Sequence, residues 1–144
     1  MNVLVAVDMG PGSEKVLAFA GELAQQTGGE LHVVHVITEE EEEDRRKRPG
    51  DSRYVDVMLE ETKRDLEKSL KELGLVQSSF TVLTRIGKPV DEIQRVAAEH
   101  DVDTLVIGMR RRSRVGKFLL GSDLQELLLS SELPVAAVPI GVRA

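Results

Sequence analysis

Short apolar runs alternate along this chain with longer stretches in which apolar positions recur every three or four residues. Asn2 to Val7 (NVLVAV) is a Val-rich run stopped by Asp8, the pattern of a buried strand. Met9-Gly10-Pro11-Gly12 has turn chemistry. Ser13 can cap a helix whose inner positions are Val16, Leu17, Ala20, Leu23 and Ala24, and Gly28-Gly29 ends it. Leu31 to Ile37 (LHVVHVI) predicts a second strand. Residues 54–73 predict a long amphipathic helix with Val55, Met58, Leu59, Thr62, Leu66, Ser69, Leu70 and Leu73 inward and Gly74 after it. Phe80 to Ile86 predicts a third strand, and Pro89 opens a helix carrying Val90, Ile93, Val96 and Ala97. Thr104 to Ile107 predicts the fourth strand, followed from Gly108 by a basic loop. Ser122 with Gln125 three residues on reads as a capping box, with Leu124, Leu127 and Leu128 on the inner face of the last helix. Pro134 breaks that helix, and Val135 to Val138 predicts the fifth strand.

Strands and helices in this alternation predict an α/β fold, a single open five-stranded parallel sheet with helices on both faces. A chain of 144 residues suits one domain over residues 1–144. In such sheets ligands lie outside the carboxyl ends of the strands, near the topological switch point. Asp8 ends the first strand and Gly108 the fourth, so if these strands are neighbours both face one crevice. Residues 39–51 (EEEEEDRRKRPGD), six acids and then four bases, break the alternation. They are expected to form a charged, flexible, solvated connection.

Composition narrows the chemistry. Aromatic residues are only 3% and Trp is absent, so the core must be aliphatic. Without Cys there are no disulfides, thiolate metal sites or Cys nucleophiles. His32, His35 and His100 are too few and scattered to suggest a metal site, and the first two are expected to be structural or rim-exposed. A net charge of −6 argues against nucleic-acid binding, which needs a basic face. No apolar run is long enough for a membrane span, and the N-terminus reads straight into a strand, so the expected location is the cytoplasm. Gly10-Pro11-Gly12 begins like a dinucleotide fingerprint, but Lys15 stands where its third Gly belongs. Gly116-Lys117 resembles the end of a P-loop, but Phe118 replaces the hydroxyl that must hold Mg²⁺. No triad or general base beside a positioned nucleophile stands out, so no catalytic residue is assigned.

The remaining candidate is Gly108, the cations Arg110, Arg111 and Lys117, and then Gly121-Ser122. A strand, a basic loop and a helix N-terminus form the arrangement that holds phosphates in open α/β sheets. Glycines let backbone approach a ligand, Ser122 offers a hydroxyl, and Arg adds bidentate phosphate contacts. The same residues also fit plain turn glycines, an ordinary N-cap and a solvated loop.

Over nearly its whole length the sequence resembles the universal stress protein family. The resemblance is carried by VLVAVDMGPGSEKVLAFAGELA, LHVVHVI, RIGKPVDEIQRVAAEHDVDTLVIGMR, LLGSDLQELL and ELPVAAVPI. It implies a Rossmann-like sheet of the adenine nucleotide alpha hydrolase-like kind. It also implies a homodimer, often through the last strand (here Val135–Val138), and in many members ATP, with or without Mg²⁺. The family's ATP pattern is Gly-x2-Gly-x9-Gly-Ser/Thr. By position Gly108, Gly121 and Ser122 match it and would hold phosphate and ribose. Asp8 matches an acid near adenine and ribose, and Val36 a backbone position that pairs with the adenine edge. Arg110 matches a loop position facing the nucleotide, with Arg111 and Lys117 as further phosphate-side cations. Arg111 departs from the pattern, standing where its second Gly belongs. The implied function is a nucleotide-dependent stress regulator with at most slow ATP hydrolysis. The alternative is a nucleotide-free dimeric module acting through protein partners, with residues 39–51 as a candidate docking segment.

Overall fold

The computed structural model describes residues 1–46, 54–74, 80–110 and 121–140. Five strands form one parallel sheet: β1 (Val3–Ala6), β2 (Leu31–Ile37), β3 (Phe80–Ile86), β4 (Thr104–Arg110) and β5 (Val135–Ile140), in the order β3-β2-β1-β4-β5. Between them lie α1 (Ser13–Gln26), α2 (Glu39–Arg46), α3 (Tyr54–Glu72), α4 (Pro89–Glu99) and α5 (Ser122–Ser130). The chain builds outward from β1 to β3, then crosses back to lay β4 on the other side of β1. Val3–Ala6 pairs with Leu31–Val34 on one side and with Thr104–Ile107 on the other.

Both faces of the sheet are covered, which is why its strands are apolar at successive positions. On one face Val3, Val5, Val33 and Val106 pack against Val16, Leu17 and Ala20 of α1 and Leu66 and Leu70 of α3. On the other, Leu4, Val34 and Leu105 meet Val90, Ile93 and Val96 of α4 and Leu127 of α5. Each fully buried Leu contributes about 1.5–3 kcal/mol relative to exposure. Among the described residues, no helix is long and apolar enough to cross a membrane.

Besides β5, which runs to Ile140 rather than ending at Val138, four details differ from expectation. Residues 39–46 are helical rather than a flexible connection; residues 47–53 of that segment lie outside the described residues. Thr38 starts α2: its Oγ1 accepts the Glu41 N–H at 3.2 Å, and its carbonyl accepts the Glu42 N–H at 3.0 Å. Acids then fill the first turn, where the helix dipole favours them. Second, β4 runs on to Arg110, so Gly108 and Arg110 belong to a strand and not to a loop; Gly108 pairs with Val138 and Arg110 with Ile140. Third, Ser122 is the first helical residue rather than the N-cap. Gly121 holds the cap position with extended backbone, and no side chain caps α5. Gly12, not Ser13, likewise holds the cap position of α1, at φ 89°. Fourth, Leu128 and Leu73 are exposed, because the inner faces of their helices are filled by Leu124 and Leu127 and by Leu66 and Leu70.

Candidate functional site

The strand order sets the site. β1 and β4 are neighbours that lead to different sides of the sheet, so their carboxyl ends open into a crevice. A cleft of about 310 Å³ lies there, within the range of small-molecule sites. Its lining includes Asp8, Val36, Gly108, Arg110, Gly121 and Ser122. Chain segments far apart in sequence thus bring six of the eight candidate residues together. Arg111 and Lys117 lie outside the described residues.

Part of the cleft lining is apolar, including Ala6, Val36, Pro89, Ile93 and Ile107. Val36 contributes backbone as well. The Val34 carbonyl accepts the Val7 N–H on the β1 side, and the Ile37 carbonyl accepts the Gly87 N–H on the β3 side. Backbone groups alternate sides along a parallel strand. The Val36 N–H and carbonyl therefore face β1, past its last paired residue, Ala6.

The polar part of the lining centres on Asp8 and Arg110. Arg110 grips Asp8 with two hydrogen bonds, Nε to Oδ2 and Nη2 to Oδ1, both 2.9 Å, and its Nη1 donates to the Pro11 carbonyl at 2.8 Å. Asp8 Oδ1 also accepts the Gly10 N–H at 2.9 Å, and the Ser13 hydroxyl lies 3.4 Å away. Burial is the largest single influence on Asp8 and opposes its charge. The hydrogen bonds from Arg110 and Gly10, the Arg110 charge and the Ser13 hydroxyl together outweigh it, so the carboxyl lies below its ordinary value. The Asp8 hydrogen bonds in turn raise Arg110 above the usual guanidinium value, against its slight burial.

The glycines divide into two kinds. A Cβ on Gly108 would come within 2.6 Å of Ile140 Cδ1 and 3.2 Å of Val16 Cγ2, so packing alone accounts for this glycine. A Cβ on Gly121 would meet nothing within 4 Å, and its φ of −60° suits any residue. Among the described residues neither packing nor φ requires Gly there, and the one structural preference for it is the N-cap position itself. It stands at an uncapped helix N-terminus, whose first N–H groups have no intrahelical acceptor, beside Ser122 on the cleft wall. That is the physical character of an anion seat.

Sequence reasoning missed Thr38, Glu41, Ser13 and His35, which also line the cleft. Thr38 and Glu41 had a visible signal, a Thr-x-x-Glu helix start, hidden inside a charge run. His35 is buried with Nδ1 2.7 Å from the Val7 carbonyl. A carbonyl only accepts, so Nδ1 carries the proton and the ring fixes the end of β1. His32 is buried as well, at the other end of β2.

The fold and cleft can be set beside known proteins. The profile of the universal stress protein family matches residues 1–139. Universal stress protein C of Escherichia coli O6:H1 is 26% identical over 140 residues, covering 96% of this chain and 95% of that protein. A universal stress protein from Archaeoglobus fulgidus superposes with a TM-score of 0.69 at 28% identity, covering 96% of this chain and 98% of that one. The universal stress protein from Archaeoglobus fulgidus in complex with dAMP gives a TM-score of 0.64 at 26% identity, covering 96% of this chain and 97% of that one. With one profile spanning all five strands and the same sheet in solved members, this chain belongs to the universal stress protein family.

Proposed function

We propose that the chain binds an adenine nucleotide, ATP as its Mg²⁺ complex in the first instance, in the cleft at the carboxyl ends of β1 and β4. It acts as a homodimeric, nucleotide-dependent regulator in the cytoplasm and not primarily as an enzyme. The observation that carries this reading is the start of α5: an uncapped helix N-terminus on the cleft wall, preceded by a glycine that neither backbone conformation nor packing requires. The cleft suits such a ligand in kind. Its apolar lining takes a flat base, and the Val36 backbone, which faces β1 and has no β1 partner among the described residues, offers one donor and one acceptor to the base edge. Asp8 accepts from ribose hydroxyls, and Gly121, Ser122 and Arg110, with Arg111 and Lys117, receive phosphates. The relative solved with dAMP supports the ligand class.

The dimer reading rests on β5, an edge strand next to β4 alone. A second copy pairing along Val135–Val138 covers an otherwise open edge. Light scattering at micromolar protein checks this, and a monomer there removes it.

The nucleotide reading is tested by denaturing freshly purified protein, analysing the supernatant for nucleotide, and titrating the stripped protein with ATP and Mg²⁺. Stoichiometric ATP or micromolar rebinding is expected. Two observations favour the nucleotide-free module instead: Asp8 and Arg110 already satisfy each other, and Asp123 adds a negative charge at the cleft wall. No released nucleotide and no heat of binding would select that reading.

A further inference from the structure

The Asp8–Arg110 ion pair in the cleft lining has the geometry of a device rather than of a brace. Arg110 is the last residue of β4, and Asp8 belongs to the turn after β1. Their bidentate contact therefore ties together the ends of the two strands beside the cleft they line. Gly10 makes room for this: a Cβ there would come within 2.8 Å of Arg110 Nη2. Yet both side chains remain open to solvent, Asp8 at 61% and Arg110 at 32% relative exposure. An exposed pair contributes little net stability, so exchanging one partner for another costs little. Each partner has a natural substitute. A phosphate accepts the guanidinium fork as a carboxylate does, with more charge. A pair of ribose hydroxyls satisfies a carboxylate that has lost its cation.

We propose that Asp8 and Arg110 form an exchange latch that makes the cleft selective for nucleotides over their separate parts. This rests on the nucleotide reading above and adds the basis of its selectivity. Inorganic phosphate takes Arg110 but leaves Asp8 charged and without its cation. A nucleoside offers hydroxyls to Asp8 but nothing to Arg110. A nucleotide supplies both substitutes at once, so it alone opens the latch without stranding a charge. Opening also frees the Pro11 carbonyl from Arg110 Nη1, so occupancy is transmitted to the turn that leads into α1.

The test uses the full chain, the variants Asp8→Asn and Arg110→Gln, and three probes: inorganic phosphate, adenosine and AMP. Circular dichroism checks that each variant folds, and in wild-type protein the Arg110 Nε–H resonance follows the latch directly. Releasing Arg110 in Asp8→Asn is expected to tighten inorganic phosphate by about tenfold, the scale of one charge-assisted contact. In Arg110→Gln, adenosine is expected to bind more tightly than to wild type, and AMP to lose its advantage over adenosine. In wild type the Arg110 resonance is expected to move with AMP and stay in place with adenosine. Unchanged phosphate affinity in Asp8→Asn, or an Arg110 resonance that moves equally with both probes, overturns the latch. A wild-type protein that binds no nucleotide, beside an Asp8→Asn protein with tightened phosphate, removes the nucleotide reading and keeps a masked anion site.

Discussion

The two ends of the sheet carry polar clusters of opposite character. At the carboxyl end, Asp8 and Arg110 are solvent-accessible and every contact they make can be exchanged. At the amino end, His32 lies on β2 with only 5% of its side chain exposed, its ring 4.8 Å from that of His100. Neither His32 nitrogen has a hydrogen-bond partner among the described residues, and the Glu30 carboxylate stands 3.6 Å from Nε2, too far for a hydrogen bond. Burial first, and the neighbouring His100 second, hold His32 below its ordinary value of 6.5, against the pull of Glu30. Polar groups at the open end can serve a ligand, whereas those at the closed end only tax the fold. Asp8 and Arg110 line the cleft, whereas His32 and His100 are absent from its lining.

The contrast breaks most visibly at Gly121. Gly121→Val meets open space among the described residues, so the expected stability cost is that of a poorer N-cap residue, about 1 kcal/mol. Nucleotide affinity, measured by calorimetry, is expected to fall about a hundredfold, two decades being the loss of a well-formed anion seat. An unchanged affinity would place the phosphates elsewhere.

The closed end responds in the opposite sense. His32→Leu substitutes a side chain of similar volume and removes a buried, unpartnered polar ring. A gain of about 1 kcal/mol is expected, read as a rise of about 3–5 °C in Tm, with nucleotide affinity unaltered. The pH dependence sharpens this. His32 is depressed in the folded state, so the unfolded chain takes up its proton first. Wild-type stability falls as pH drops below 6.5 and goes on falling until the folded state also protonates. His32→Leu is expected to flatten that slope. Asp8 is depressed too, but from 3.8, so its contribution is present above that pH and is lost only below it. The two ends thus titrate in separate windows. A loss of stability in His32→Leu would show that the ring has partners in the folded protein.

What was legible in the sequence follows the same division. Strands buried on both faces announce themselves as unbroken apolar runs. β2 and β3 were readable to the residue, and α4 by its buried stripe of Val90, Ile93, Val96 and Ala97. Elements fixed by hydrogen bonds and charge were harder to see. α2 has no apolar stripe; Thr38 and the dipole's preference for acids start it, and a charge run conceals both. β4 was cut short because Gly108 looked like a stop, while the ladder to β5 carries it through Arg110. Six of the candidate residues line the cleft, but the sequence does not show the grip of Arg110 on Asp8, which joins residues 102 positions apart. Only the neighbouring of β1 and β4 creates that contact.

The smallest effect compares backbone at the two ends. Each end holds one non-glycine residue in the left-handed region, Met9 at φ 64° beside the cleft and Asp101 at φ 50° after α4. Asp tolerates this conformation through its short polar side chain, and Asp101 closes α4 in an ordinary way: the next N–H, of Val102, returns to the Ala97 carbonyl at 3.1 Å. Met has no such compensation, and the left-handed form costs it about 1–2 kcal/mol. Glycine recovers this cost but adds freedom to the unfolded chain. Met9→Gly is therefore expected to stabilise the protein by about 0.5 kcal/mol, and Asp101→Gly to change it by less, as denaturant midpoints can show. Strain of this kind collects where a site must be held in one shape. Met9 sits between Asp8 and Gly10, the residues on which the Arg110 guanidinium rests. If its strain holds that turn, Met9→Gly gains stability and loses selectivity between AMP and inorganic phosphate, while Asp101→Gly leaves selectivity untouched. Equal selectivity in the two variants would mean that the turn keeps its shape through the hydrogen bonds of Asp8 alone.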